Sequence, residues 1–351
     1  MNEVRILILG TGGMANSHVE GFKEAPGARV VAGIDTNQER LDAFLKKHDI
    51  PHGFTSIADA LAWGEFDAVS NVTPDSVHHM TTLPLLAAHK HVLCEKPLAV
   101  NHHDAVEMAE RAAAAGVVNM VNLTYRNGAA LIEANRLIQE GVIGEVRHFE
   151  ASYLQSWLTQ PAWGEWSTES QWLWRLSTAH GSNGVLGDVG VHILDFATYA
   201  ANSAVSNISC RLQTFHKAEN DKIGEYVLDA NDSAVMNVRL DNGAIGVVHT
   251  TRFASGHMND LTLKIYGTKG GLEVVDKMGH SALRGCIGPD LKTAEWKDLP
   301  IGKVDTNYVR FVKAIQNDLP VLPDFARGAA LQKVLDQAVA SNAQGGLDLA
   351  I

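Results

Sequence analysis

Three short stretches of this sequence hold residue types whose spacing could do chemistry. In "HVLCEKPLAV" an apolar run from His91 to Cys94 gives way at once to Glu95-Lys96-Pro97. A lysine where a buried strand meets its loop is costly unless a carboxylate or an oxygen-rich ligand solvates it. Glu95 is the neighbouring carboxylate, so Lys96 reads as a cation presented to such a ligand, against the plainer reading of a surface ion pair beside a loop proline. In "GVLGDVGVHILDFATYA" Asp188 and His192 stand four apart at the start of an apolar helix, which puts them on one face. The helix dipole favours a carboxylate in the first turn, where it can hold a ligand hydroxyl or orient the imidazole. His192 beside a ligand is a proton shuttle near neutral pH. The same two residues also suit a helix cap and an interior histidine.

The third stretch, "ILILGTGGMANSH", carries Gly10-x-Gly12-x-x-Ala15 between a strand and a helix. Gly10 permits a tight turn, Gly12 lets the backbone approach a pyrophosphate, and Ala15 allows close helix–strand packing. Gly13 and Met14 open the helix, whose N-terminal amides face the anion. Asp35 ends the next apolar run, where a carboxylate can hold the hydroxyls of an adenosine ribose; Thr36 follows it. Asp35 would repel a 2′-phosphate, so NAD is favoured over NADP. Arg40, five residues on, keeps NADP possible, and Asp35 also suits the cap of the helix that follows.

These residues need rigid elements to position them. "VRILILG", "ARVVAGID", "FDAVSNVT", "HVLCE" and "VVNMVN" are nearly continuous apolar runs, the pattern of strands buried on both faces of a parallel sheet. Helical patterns alternate with them, which predicts right-handed βαβ units and a doubly wound sheet over 1–123. Beyond 123 the rhythm changes. "EVRHFEASYLQSW", "SNISCRLQTFH", "SAVMNVRL", "AIGVVHTTRF", "LTLKIYG" and "GLEVVD" read as strands joined in part by hairpins, with Asp241-Asn242-Gly243 and "YGTKGGL" as turns. Residues 124–351 therefore read as an α+β domain with a large open, mainly antiparallel sheet. Helical segments are expected near 129–139, 306–317 and 327–342.

Taken in order, Gly10-x-Gly12-x-x-Ala15, Thr73-Pro74-Asp75-x-x-His78, Glu95-Lys96-Pro97, Tyr125-Arg126 and Gly187-Asp188-x-Gly190-x-His192 resemble the glucose–fructose oxidoreductase and inositol dehydrogenase family, Gfo/Idh/MocA. The likeness runs over nearly the whole chain. It implies an N-terminal Rossmann domain and an NAD(P)-dependent dehydrogenase acting on the hydroxyl of a sugar, polyol or cyclitol. Lys96 would sit beside the nicotinamide and the reacting hydroxyl. His192 would take the hydroxyl proton as hydride leaves the same carbon, and Asp188 would bond a substrate hydroxyl or tune the pair. Thr73, Pro74 and His78 would line the ribose and nicotinamide side of the cofactor groove, with Glu95 supporting that ribose; the resemblance also implies a cis Lys96–Pro97 bond. It extends Arg175 toward cofactor or substrate. Arg126, Asn127, Tyr153 and Trp174 become substrate candidates, and the open sheet is expected to form a homodimer or homotetramer.

Five of the seven tryptophans fall in "SWLTQPAWGEWSTESQWLWRLS", ahead of the Asp188/His192 helix. Indole faces pack on sugar C–H faces, although such a loop also needs a small core of its own. Among enzymes, an NAD-dependent glycosidase of the same fold is the rival reading. A non-catalytic NAD-binding sensor is the rival from another class. The formal charge of −11 speaks against a nucleic-acid or anionic-membrane binder. Three cysteines without CxxC pairing give no thiolate zinc site or disulfide framework. His78-His79 and His102-His103 lack carboxylate or cysteine partners at ligand spacing, so no metal is expected. With no leader pattern and no long apolar run, the expected location is the cytoplasm.

Overall fold

The computed structural model describes residues 3–351, which divide into two units. The first takes the chain up to Thr124 together with residues 305–332. Its centre is a six-stranded sheet of β1 (Val4–Leu9), β2 (Ala28–Ile34), β3 (His52–Phe54), β4 (Ala68–Asn71), β5 (His91–Cys94) and β6 (Asn119–Val121), in the order β3-β2-β1-β4-β5-β6. Every neighbouring pair is parallel, and Ile6, Leu7, Ile8, Val69, Val92 and Leu93 are fully buried. The strand order reverses between β1 and β4, and ligands of such sheets bind beyond the carboxyl strand ends at that switch point. Gly10, Asp35, Thr73 and Lys96 all lie just past the carboxyl ends of β1, β2, β4 and β5. The three-residue β3 is too short and too exposed to show as an apolar run.

One boundary needs correction. The helix Asn307–Asn317 belongs with the first unit, although it follows the whole second sheet in sequence. Tyr308, Phe311 and Val312 join the core made by Ile6, Val19 and Phe22, so burial of its apolar face decides its place.

The second unit comprises 125–304 and 333–351. Nine strands run in the order Lys297–Asp298, His280–Ile287, Gly270–Lys277, Asp260–Gly267, Val146–Leu154, Ile245–Thr251, Ser233–Leu240, Val205–Gln213 and Leu349–Ala350. All pairs are antiparallel except Val146–Leu154 with Ile245–Thr251. In Ser233–Leu240 alternate residues Ala234, Met236, Val238 and Leu240 are buried while Val235, Asn237 and Arg239 are exposed, the signature of a sheet covered on one face. Gly243 turns the Asp241-Asn242-Gly243 hairpin at φ +83°. The strand His280–Ile287 was not anticipated, because His280, Arg284 and Gly285 interrupt its alternation.

Candidate active site

In the first unit the loop after β1 enters α1 (Gly13–Lys23), and no side chain caps that helix. Gly10 sits at φ +88°, and a Cβ there would come within 2.9 Å of the Val72 carbonyl oxygen, so the turn needs glycine. Gly12 and Gly13 differ: a Cβ on either meets nothing within 4 Å. The fold itself does not require glycine at these two positions. The bare backbone over an uncapped helix N-terminus is the cradle a pyrophosphate fills, and the residues present fit a dinucleotide. Met14 and Thr36 lie exposed beside it, and Ala15 is fully buried against the sheet.

Asp35 is held from three sides. The Thr11 backbone N–H (2.9 Å) and hydroxyl (2.8 Å), the Asn37 N–H (2.9 Å) and the Arg40 guanidinium (2.8 and 2.6 Å) all donate to it. Burial pushes this carboxyl up, but those donors outweigh it and hold it well below the usual carboxylate range. Asp35 is thus a fixed anion, with Arg40 as an exposed counter-ion that sequence spacing only hinted at. Asp35→Ala is expected to weaken NAD about tenfold or more while changing NADP less, because a ribose diol loses its acceptor and a 2′-phosphate loses a repulsion. Titration of both cofactors checks this, and a larger loss for NADP would contradict it.

Glu95 is engaged by the protein beneath Lys96. Its Oε1 accepts from Asn122 Nδ2 (2.6 Å) and lies 2.8 Å from His18 Nε2; its Oε2 takes the Lys96 backbone N–H at 3.2 Å. His18 Nδ1 meets the Ser70 hydroxyl at 2.7 Å, and Asn122 extends the network to Asn307 and Tyr308. Within the protein Glu95 thus serves as a post under the Lys96 backbone. His18 escaped the sequence reading. It lies on the buried face of α1 with Ala15, Val19 and Phe22, where a histidine signals a buried partner. Lys96 is half-buried, and its bond to Pro97 is cis.

Burial pushes the Glu95 carboxyl up, yet His18, Lys96 and Asn122 prevail and bring it down to about 2. A depressed carboxylate stabilises the fold at pH values above its ordinary 4.5, and that contribution is lost as pH falls toward 2. Glu95→Gln should flatten the stability–pH curve within this window, as read by urea unfolding. An unchanged acid limb would show that other carboxylates set it.

Thr73 is half-buried and bonds Asn71 Oδ1 through its N–H and its hydroxyl, and Pro74 is exposed. His78 departs from expectation. It is fully buried, with Nδ1 2.9 Å from the Pro97 carbonyl oxygen and Nε2 2.8 Å from that of Thr73, so it braces the loops and lines no groove.

In the second unit Asp188 lies in a π-helical turn, Leu186–Gly190, which runs into the α-helix Val191–Ala200 carrying His192. The wider i→i+5 turn replaces the regular helix assumed for the pair, so spacing alone no longer fixes a common face; such turns gather at functional sites. Gly187 is required there, since a Cβ would approach Asn183 Cβ to 2.3 Å.

Arg252 is a buried partner of Asp188 that the sequence concealed. It is fully buried, donates to Asp188 Oδ2 (3.1 Å) and to the Arg175 carbonyl (3.0 Å), and lies 4.9 Å from the Trp157 ring. The only sequence signal was an arginine ending an apolar strand at "VVHTTRF". Arg252→Met should cost on the order of 2–3 kcal/mol in chemical unfolding, reduced from a fully buried pair because Asp188 is partly exposed. Unchanged stability would mean that Asp188 does not depend on this cation.

His192 is buried against Tyr125, whose ring centroid lies 5.0 Å away at 90°, and near Tyr153 at 6.4 Å. The two tyrosine hydroxyls are 2.6 Å apart, and that of Tyr153 donates to Asn259 Oδ1 at 2.7 Å. Burial raises both phenols, Tyr125 to about 12, so both stay neutral at working pH. Of the three rings, only an imidazole ordinarily titrates near neutrality. Tyr153, read as a substrate contact, is 3% exposed and serves as backing for His192.

Arg126 is also corrected. It makes a buried bidentate pair with Asp195 (2.6 and 2.8 Å) and stacks 3.6 Å from the Tyr199 ring, which removes it from any surface. Asn127 is half-buried in the turn Thr124–Asn127. Trp157, Trp163, Trp166 and Trp172 pack with Leu158, Leu173, Leu176 and Leu228 into a satellite core, so they mainly stabilise their own loop. Trp174 stays outside that cluster, half-buried, with the half-buried Arg175 guanidinium 4.5 Å from its ring.

A doubly wound parallel sheet with a bare glycine loop and a fixed carboxylate at the end of the second strand fits a dinucleotide. Residues 4–123 match the oxidoreductase family with an NAD-binding Rossmann fold, and 131–273 match the GFO/IDH/MocA C-terminal domain. The chain belongs to the Gfo/Idh/MocA family. It is 32% identical to 1,5-anhydro-D-fructose reductase of Ensifer adhaerens over 271 residues, covering 76% of this chain and 74% of the relative. It is 29% identical to levoglucosan dehydrogenase of Pseudarthrobacter phenanthrenivorans over 314 residues, covering 80% and 79%. A solved levoglucosan dehydrogenase in complex with NADH and levoglucosan shares the fold, with a TM-score of 0.86, 24% identity and complete coverage of both chains. Among the described residues no helix is long and apolar enough to cross a membrane.

Proposed function

We propose that this enzyme oxidises a secondary hydroxyl of a neutral sugar, anhydrosugar or cyclitol with NAD, using Lys96, Asp188 and His192. NAD, when bound, would supply the acceptor for the hydride of the carbinol carbon. His192 removes the hydroxyl proton, and its Tyr125 and Tyr153 backing fixes the ring for that transfer. The Lys96 ammonium orients the same oxygen and stabilises its developing negative charge. Asp188, paired with Arg252 at 3.1 Å, accepts a hydrogen bond from a neighbouring substrate hydroxyl.

The observation that carries the reading is the buried support under each reacting group, Glu95 below Lys96 and Arg252 behind Asp188. The relatives named above that act on sugars support the substrate class, and the Asp188 carboxylate offers an acceptor to a hydroxyl. A spectrophotometric panel of neutral and phosphorylated sugars and cyclitols with NAD and NADP tests it. NADH formation with a neutral polyol is the expected result. Dinucleotide binding without reduction by any of them would favour a sensor, and release of free sugar without net NADH a glycosidase.

The exposed face of the nine-stranded sheet carries Val235 and Ile245, each about half exposed, and suits a second copy of the chain. Light scattering is expected to return a dimer or tetramer.

A further inference from the structure

His78 lies outside the chemistry just described, yet it sits between the two strand-end turns of the first unit. Both of its ring nitrogens are at hydrogen-bond distance from carbonyl oxygens, Nδ1 from Pro97 at 2.9 Å and Nε2 from Thr73 at 2.8 Å. A carbonyl oxygen can only accept, and a neutral imidazole has one N–H. Either neutral tautomer would therefore press a nitrogen lone pair against an oxygen lone pair in a site with no solvent exposure. Only the imidazolium satisfies both contacts.

We propose that His78 is a permanently protonated positioning residue, whose imidazolium ties the Thr73 turn after β4 to the Pro97 turn after β5 and so steadies the segment bearing Lys96. This deepens the reading of Lys96 given above, while its own test is independent of any substrate. Groups facing the ring are the Cys94 side chain from the end of β5 and the Asp75 carboxylate from the turn before the ring's own helix. Burial alone would push the imidazolium down; Cys94, Asp75 and the Pro97 carbonyl reverse that, and its pKa is pushed up to about 10. A buried cation is tolerable here because both N–H groups are bonded and a carboxylate stands near.

The arrangement also accounts for a histidine five residues after Thr73. The turn Asp75–Val77 leads directly into the helix His78–Ala87, so the first helical side chain can reach back to the Thr73 carbonyl and across to Pro97. Glutamine carries both of its N–H bonds on one nitrogen, whereas the imidazolium presents them from opposite sides of the ring.

The direct test is nitrogen NMR of the full-length wild-type protein labelled in histidine, assigned by comparison with His78→Gln. The expected spectrum shows both His78 nitrogens protonated from about pH 6 to pH 9, while solvent-exposed histidines titrate. A neutral tautomer at pH 8 would overturn the proposal. NAD titration of His78→Gln should show about tenfold weaker binding, because the two strand-end turns that His78 ties together lose their fixed spacing, an effect on the backbone that removal of the Lys96 side chain does not reproduce. Unchanged affinity in a folded variant would refute the positioning role. Should that variant not fold, the wild-type series decides without assignment, since the absence of any doubly protonated histidine at pH 8 overturns the proposal. Failure of the whole sugar panel with a protonated His78 would count against the substrate reading alone.

Discussion

Lys96→Ala is expected to lower turnover on the order of 10³-fold while leaving NAD affinity within a few-fold of wild type. The magnitude is that of deleting one preorganised donor at a developing oxyanion. The asymmetry comes from the fold. The glycine turn and Asp35, to which the dinucleotide is assigned, stand at the ends of β1 and β2, whereas Lys96 follows β5. The support beneath the lysine survives the change, because Glu95 bonds His18 and Asn122 whatever side chain stands at 96. Glu95 also receives the residue-96 backbone N–H, which alanine retains. Steady-state kinetics with a separate NAD titration measure both quantities. Turnover within threefold of wild type would take the ammonium out of the chemistry.

His192→Ala is expected to reduce oxidation by about 10²–10⁴-fold and to remove the acid limb of its pH profile. Only a neutral imidazole can accept the hydroxyl proton, so the wild-type oxidation rate rises as pH increases through the histidine's titration. The tyrosines packed on the ring cannot replace it. Their ionisation is driven upward by burial, and Tyr153 already donates its proton to Asn259. If the variant kept the same acid limb, the titrating group would have to be sought elsewhere. The reverse reaction carries the opposite sign, since the protonated ring must donate.

The parallel sheet was legible because buried strands of Val, Ile and Leu read as unbroken apolar runs, and the glycine turn carried its own context. Glu95, Lys96, Asp188 and His192 drew attention in the sequence because charge in an apolar setting stands out. What escaped were the partners supplied from far along the chain. His18 reaches Glu95 across 77 residues, and Arg252 reaches Asp188 across 64. No periodicity encodes such pairs. The same holds for Arg126, whose ion-pair partner Asp195 lies 69 residues away, and for the tryptophan loop, where the alternative of a small core of its own is the one the packing displays. The place of Asn307–Asn317 was hidden because its packing partners precede it by almost 300 residues.

The most direct measurement is a double-mutant cycle on the single-turnover rate of hydroxyl oxidation at saturating NAD, using wild type, Lys96→Ala, His192→Ala and the double variant. Groups that serve one oxygen as a unit lose function together, so the double variant should be scarcely slower than the worse single variant. If the two losses simply multiply, the ammonium and the imidazole act independently, and a shared proton-transfer site is contradicted.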